Sequence, residues 1–580
     1  MRAARAIAAA LGALLAAAAP AWAQDDEDEE DDDEETVVVE EGKPKPKAKQ
    51  EFKKQDLRGH AVDASTASNV FEKDRFFVDK VDTKKSAKGT LIQGSLASSS
   101  FAYTESAGAL PGNPMFGSAG AKYDRLFTEM RLQTDFRHIR GGKWDARIDT
   151  RARFVTDPDA TSTHSVTPTR IQSGFNGQNE YEVREAWIVR SGKRSDLFFG
   201  RQFITDLGAL RVDGLRIDYA QSEKLTLITF GGLYPIRGSR SITTDYKLLR
   251  DDNGAPAGRL VGAGGFGGAS RTLSAHGALG AVVLAPLAAE TPRVYATSNG
   301  YYRSGAKVDL YHMAIVDLFG KAAPALTNLS AGANYKPSQR LRVTASFNRV
   351  DTETLNVQAN AFLSDDAPAS GNRIQNETFI SRLSTNAGKV GVSAALGPAQ
   401  RFEVSTAVNY RYRPEFTLVP ADGMTMPSTF PAAKGVDVFF GLLDRQSFAK
   451  LRLGADVSRS FAAGNVAFNR SEVLAARVFA SRELKSGRGE WEAEAGYSTT
   501  KDVAGGAMCP TLDQCFGSST GSIVSVGGSF YYRFNRDWFA LANLFVNLHS
   551  VTPTQPTTLM GASDPTILSL TGFARIAYRF

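Results

Sequence analysis

Lys143-Trp144-Asp145-Ala146-Arg147-Ile148-Asp149-Thr150-Arg151-Ala152-Arg153-Phe154 is the stretch on which the fold turns. Its even positions are Trp, Ala, Ile, Thr, Ala and Phe, and its odd positions are Lys, Asp, Arg, Asp, Arg and Arg. Successive side chains of a strand point to opposite faces. As a strand this segment therefore has one face without charge and one on which every residue is charged.

The segment before it has the same period: Leu126, Thr128, Met130, Leu132, Thr134 and Phe136 alternate with Glu129, Arg131, Gln133, Asp135 and Arg137. Ile139-Arg140-Gly141-Gly142 between the two signals a tight turn. Leu341-Val343-Ala345-Phe347, Leu451-Leu453-Ala455-Val457 and Trp538-Ala540-Ala542-Leu544-Val546-Leu548 repeat the pattern. A soluble sandwich alternates too, so lipid needs further support. The predicted strands run to about 10–14 residues, against a usual mode near 5–6 in globular sheets. Aromatics gather at strand ends, as an interfacial girdle requires: Trp144, Phe154, Trp187, Phe530, Tyr532 and Trp538. Connections alternate between short and mostly long, as bacterial outer-membrane barrels show.

Counting makes that last point specific. Short turns are expected near 139–142, 191–194, 220–223, 303–305, 336–339, 397–400, 444–447, 484–488 and 534–535. With 235–290 taken as one long outer insertion, the phase holds from both ends and gives an all-β, single antiparallel transmembrane barrel of about 20 strands, within a range of about 16–20. The alternative is that Gly277–Ala285 is an extra strand, which would disturb that parity.

The ends of the chain agree with export to an outer membrane. Arg2 and Arg5 precede the apolar run Ala6–Ala19, and Ala21-Trp22-Ala23 supplies a small-x-small cleavage pattern, so residues 1–23 read as a signal peptide. After the leader, no run approaches the roughly 18 apolar residues of a spanning helix. Residues 24–66 form a tail, with eleven consecutive acids from Asp25 to Glu35 and then Lys43-Pro44-Lys45-Pro46-Lys47. Such blocks are expected to stay disordered on the periplasmic side. The tail reads first as a solvated extension; a tether for a basic or cell-wall partner and a weak cation sink are the sharper alternatives, and nothing selects between those two. Residues 67–88 are expected to form a short pre-barrel segment, and 89–580 the barrel. At the C-terminus Ile576, Tyr578 and Phe580 share one face. A terminal aromatic after alternating apolar residues resembles the signal that the outer-membrane barrel assembly machinery recognises.

A second resemblance lies in Asp196-Leu197-Phe198-Phe199-Gly200-Arg201-Gln202 followed by Arg211-Val212-Asp213-Gly214-Leu215-Arg216-Ile217-Asp218-Tyr219. This passage resembles a strand–turn–strand unit of porins and alginate-export-like barrels. The resemblance implies barrel membership and a conduit role, and leaves the solute open.

The charged face is the candidate lumen wall. Arg131, Arg147, Arg151, Arg153, Arg184, Arg201, Arg211, Asp213, Arg216 and Asp218 are the selectivity candidates, with Gly214 as a bulge that resets the phase. Arg rings favour anions, whereas mutually neutralising Arg/Asp/Glu pairs would only hold water. The chain has 68 Lys+Arg and 62 Asp+Glu. Without the two arginines of the leader and the six lysines and fourteen acids up to residue 55, 60 basic residues face 48 acidic ones. That balance fits anionic or polar solutes, and equally polyanions at the outer surface. The 235–290 segment, with its run Gly262-Ala263-Gly264-Gly265-Phe266-Gly267-Gly268, is the candidate constriction or lid. Cys509 and Cys515, six positions apart, are expected to staple a loop as a disulfide.

Enzyme chemistry finds little support. The six histidines are scattered without metal-ligand spacing. Gly517-Ser518-Ser519-Thr520-Gly521 matches G-x-S-x-G but runs into a strand-like segment, where a nucleophile elbow needs a helix. No cofactor, metal or nucleic acid is called for. The function expected is a porin-like channel for passive diffusion of small polar solutes, in contact with outer-membrane lipid and with a homo-oligomer as one further partner. A structural or surface-interaction barrel with a closed lumen is the alternative, and a barrel-embedded hydrolase the third.

Overall fold

The computed structural model describes residues 89–105, 123–155, 180–235, 249–250, 256–257, 261–272, 274–286, 292–305, 307–319, 324–351, 384–418, 428–430, 432–462, 471–484, 488–502, 519–535, 537–553 and 566–580. The expected leader, tail and pre-barrel segment lie outside these residues, as do Cys509 and Cys515.

Among the described residues, 22 strands form one antiparallel sheet that closes on itself. The first seven are β1 (Leu91–Glu105), β2 (Tyr123–Arg137), β3 (Trp144–Val155), β4 (Glu180–Ser191), β5 (Ser195–Ile204), β6 (Leu210–Ala220) and β7 (Leu225–Tyr234). The last, Thr566–Arg579, pairs with β1 from Ser95↔Arg579 to Glu105↔Ser569 and so removes both sheet edges. At the seam the Gly94 and Phe580 amides each donate to the other residue's carbonyl, at 3.0 and 3.1 Å.

Two-residue periodicity decides which way each side chain points. On β3, Trp144, Ile148 and Phe154 are exposed on the outside, while Asp145, Asp149 and Arg153 are buried on the inside. Leu453 and Val457, and Trp538, Leu544, Val546 and Leu548, are exposed on the same outer surface. In water such an apolar belt would be costly. In lipid it is the solvent-matched face, and closure satisfies the backbone groups that lipid cannot. Trp538 packs against Tyr578 at 4.7 Å between ring centroids, beside a short turn, as part of an interfacial girdle.

Each of the nine connections expected to be short joins two consecutive strands paired in the barrel. A tenth short connection joins two strands inside the segment read as one insertion: Val261–Arg271 and Ala275–Pro286. The Gly-rich run lies within the first of these and pairs with β7 on one side and Ala275–Pro286 on the other. The reading of 235–290 as one insertion is therefore corrected: residues 261–271 and 275–286 are wall strands, and they raise the count from about 20 to 22 without changing its parity. The alternation of large apolar residues that marks other strands is missing there, because so many positions are glycine.

Two smaller expectations also change. Trp187 is not a girdle residue. It points inward, is buried and packs edge-on against Phe198 at 5.4 Å. Gly214 is not a bulge, since β5 and β6 stay in register through Gly200↔Gly214.

Candidate functional site

The interior of the barrel is the candidate site, and its most distinctive feature is the hairpin of β5 and β6. On the wall side of Gly200 it alternates normally, with Leu197, Phe199, Leu215, Ile217 and Tyr219 exposed to lipid and Phe198, Arg216 and Asp218 buried inside. β5 pairs with β4 only between Asp196 and Arg201, and β6 pairs with β7 only from Asp213 onward. Beyond those points the hairpin leaves the wall. Gly200 has φ of 121°, a conformation L side chains rarely adopt, and it marks the bend. Past it the consecutive residues Arg201 and Gln202, which face opposite ways, are both buried. Burial on both faces is what a hairpin turned into the lumen requires.

The tip, residues 205–209, crosses to strands further round the barrel. The Asn299 amide on the strand Arg293–Ser304 donates to the Thr205 and Asp206 carbonyls at 3.2 and 2.9 Å. Leu207 is fully buried, and its Cδ2 occupies the space that a Cβ on Gly267 or Gly280 would need. Around it Ile204, Leu210, Val212, Ile228, Phe230, Val282 and Tyr295 form an apolar core inside the barrel. The Asp206 carboxylate lies 3.4 Å from Arg216 and 3.5 Å from Arg271, and Arg216 also pairs with Asp218 at 2.7 Å. Buried charges so compensated are tolerated where single ones would not be.

The arginines expected to line the lumen on β2, β3 and β4 do face inward, and carboxylates face them. Arg131 pairs with Asp149 at 2.7 Å, and Arg147 with Glu185 at 2.6 Å and Asp135 at 3.4 Å. Arg151 lies 2.7 Å from Glu182 and 3.2 Å from Glu129, which Arg153 also contacts at 3.1 Å. Arg184 stands 3.9 Å from Asp149 and from Glu182, and Arg211 3.9 Å from Glu182. Arg201 and Asp213 make a bidentate pair at 2.6 and 2.8 Å on the inturned hairpin. The ten candidates thus come together on one arc, as a cross-strand lattice of ion pairs.

A different arc was missed by sequence reasoning. On the strands Ala325–Ser338, Leu341–Asp351 and Ser384–Leu396 the inward positions include Asn334, Ser346, Asn348 and Lys389. Asn348 and Lys389 are exposed to the lumen. Further round, the inward Arg477 pairs with Asp456 and Glu494, and its side chain is 44% exposed. The only sequence signal for this arc is weak, because serine, asparagine and alanine alternate there without contrast.

Two Ser–His pairs bear on hydrolase chemistry. Ser569 Oγ lies 2.9 Å from His549 Nε2, but Ser569 is 1% exposed and offers a substrate no approach. Ser298 Oγ lies 2.9 Å from His312 Nε2 on the lipid face, beside a furrow of about 790 Å³ lined by Gly300, Ala331, Phe347 and Val390. Among the described residues no carboxylate orients His312. Ladder pairing also commits the neighbouring amides that an oxyanion hole would need.

A closed antiparallel barrel with an apolar outside and a charged, polar inside defines an outer-membrane β-barrel. Comparison with protein-family models gives no match, and comparison with curated protein sequences gives none either. Among solved structures, the chain is similar to Acinetobacter baumannii OccAB1, at 7% identity and a TM-score of 0.37, covering 85% of this chain and 98% of that one. It is similar to Pseudomonas aeruginosa OccD3 (OpdP), at 9% identity and a TM-score of 0.34, covering 85% and 94%. The siderophore receptor PirA of Acinetobacter baumannii matches at 8% identity and a TM-score of 0.45, covering 86% and 81%.

Proposed function

We propose that the protein is a porin-like channel through which small polar solutes diffuse passively, along a lumen displaced to one side by the β5–β6 hairpin. The supporting observation is the contrast between the two halves of the interior. Under the hairpin, inward residues such as Ile228, Val282 and Thr297 are sealed from water. Opposite it, inward Lys389 and Asn348 and the partly exposed Arg477 line a wetted surface. Polar side chains left hydrated inside a barrel are what a water-filled path needs. On the β2–β4 arc the ion-pair lattice fixes a charged wall of low net charge, so it favours hydration over strong anion preference. The C-terminal face of Ile576, Tyr578 and Phe580 serves as the signal to the barrel assembly machinery.

The packed core under the hairpin supports a second reading, a closed structural barrel. Single-channel current from the purified mature protein in a planar bilayer separates the two. Steady conductance in KCl is expected for the channel. Silence from protein shown to be folded by its heat-modifiable mobility would establish the closed barrel.

A further inference from the structure

The furrow beside His312 lies where two outward rows of the wall are short of bulk. Tyr302, Leu310, Ala333, Ala345 and Val390 face one another in register across five strands, from Arg293–Ser304 to Ser384–Leu396. In the next row Ala331 and Gly388 flank Phe347. Leu310, Phe347 and Val390 are exposed to lipid and stand as walls, while alanine and glycine form the floor of this cavity of about 790 Å³. The His312 ring closes it on one side by lying over Gly300, where a Cβ would meet its Cε1 at 2.6 Å.

The furrow runs obliquely to the membrane. Tyr302 stands two residues before the end of its strand at Ser304, and Val390 six before the end of its own at Leu396. Both strands end at short turns, which mark the periplasmic side. The furrow therefore opens beside Tyr302 at the periplasmic rim and climbs toward the bilayer centre at Val390. Four strand spacings make it about 19 Å long, against about 15 Å for the hydrocarbon of one leaflet. Its deep end is open, since a Cβ on Gly388 would meet nothing within 4 Å. An unfilled depression of this kind forfeits the dispersion contacts of its walls, and a lipid chain restores them.

The shallow end is cationic. Residues 303–309 and 336–342, around the two turns there, contain Arg303, Lys307, Lys336, Arg340 and Arg342 against the single acid Asp309. Arg303 and Tyr301 already hold Asp309, at 2.8 and 2.9 Å. Lys307 and Lys336 lie just past Val308↔Tyr335, the last pair of their ladder, and the Lys336 amide donates to the Lys307 carbonyl at 2.7 Å. Both are exposed, as is Arg340, and among the described residues none of the three has a carboxylate within ion-pair distance. Neighbouring turns do not share this excess. Arg401 pairs with Asp444 at 2.8 Å and Arg445 with Glu403 at 2.6 Å, while residues 272–274 are uncharged. Basic side chains at a membrane rim reach anionic headgroups. A second copy would suit the apolar floor, but two-fold symmetry would set the same cations against one another.

We propose that the furrow seats one anionic glycerophospholipid of the periplasmic leaflet. One acyl chain lies over Ala333 and Ala345 toward Gly388, and the phosphate sits at the rim formed by Lys307, Lys336 and Arg340. The site is on the outer wall, so it stands whether or not the barrel conducts.

Native mass spectrometry of the full mature protein, released from detergent micelles, tests this with dioleoylphosphatidylglycerol and dioleoylphosphatidylcholine as competing probes. One phosphatidylglycerol per barrel should bind about tenfold more tightly than phosphatidylcholine. Lys307→Gln with Lys336→Gln should erase that preference. Ala345→Leu with Gly388→Leu fills the floor and should weaken both lipids by about tenfold. Ala455→Leu, which lies opposite the lipid-exposed Leu442 on another part of the wall, should change neither. Heat-modifiable mobility verifies the folding of each variant. Equal retention of the two lipids by the wild type, a preference that survives loss of both lysines, or retention unchanged by the filled floor would each overturn the site. So would a wild-type dimer that the filled floor dissociates, since the furrow would then belong to a second copy.

Discussion

The side-chain amide of Asn299 donates to the carbonyl of Asp206 at 2.9 Å, fastening the turn of one hairpin to a strand four places further round the barrel. This bond, its companion to Thr205 and the Leu207 socket turn a wall hairpin into a constriction. The socket is specific because only glycine leaves space for Leu207 at both positions 267 and 280.

Filling that socket should release the tip. Gly280→Leu is expected to displace Leu207 and raise single-channel conductance above wild type, since the wall strand stays paired while the constriction loses its seat. Leu207→Ala should instead lower stability by about 2–5 kcal/mol, the usual cost of an unfilled core position. Conductance and the heat-modifiability midpoint read the two effects separately.

The charged latch under the tip predicts a stability loss of a different kind. Arg216 is 4% exposed, and Asp218 and Asp206 contact it. Arg216→Met removes the cation and leaves the buried Asp218 carboxylate uncompensated, a change that costs about 3–5 kcal/mol, while Asp206 keeps Arg271 at 3.5 Å. Arg216→Met with Asp218→Leu should recover part of that loss. A double variant no more stable than Arg216→Met would show that the pair is not the seat of the cost.

Selectivity on the β2–β4 arc should follow pairs rather than single arginines. Arg151→Gln exposes Glu182 and is expected to move the reversal potential under a KCl gradient toward cations. Arg151→Gln with Glu182→Gln removes opposite charges 2.7 Å apart, and its reversal potential should lie close to wild type. If the double variant shifts as far as the single one, the lattice does not neutralise itself.

Closure of the barrel can be tested at its seam. A Cβ on Gly94 would collide with the Gln133 carbonyl and the Phe580 ring, whereas one on Gly89 meets nothing within 4 Å. Gly94→Val should reduce the heat-resistant folded species in outer membranes, and Gly89→Val should leave it unchanged. Equal yields of the two would remove the seam from the account of stability.

Strand positions were legible wherever large apolar residues alternate with charge, as at Leu126–Arg137 and Lys143–Phe154. They were illegible at Val261–Arg271, where five of eleven residues are glycine and neither face has a chemical identity. The arginines of the lumen wall could be assigned to a face from the period alone. Their compensation could not, because Glu182 and Arg151 meet only through the β3–β4 register, which shifts at Asp149/Thr150.

The sequence by itself determined the architecture: a two-residue period, short turns in phase and an apolar terminal strand specify a barrel with lipid outside and charge inside. Those signals are local, each set by neighbours two to four positions apart. Only the tertiary structure decided what fills the interior. The path of the β5–β6 tip depends on Asn299, Gly267 and Gly280, which lie some sixty to ninety positions away in the chain. The inward row Tyr311, Gly332, Ser346 and Lys389 likewise exists only because four strands pair in one register. Such contacts follow from closure of the sheet, and no local pattern encodes them.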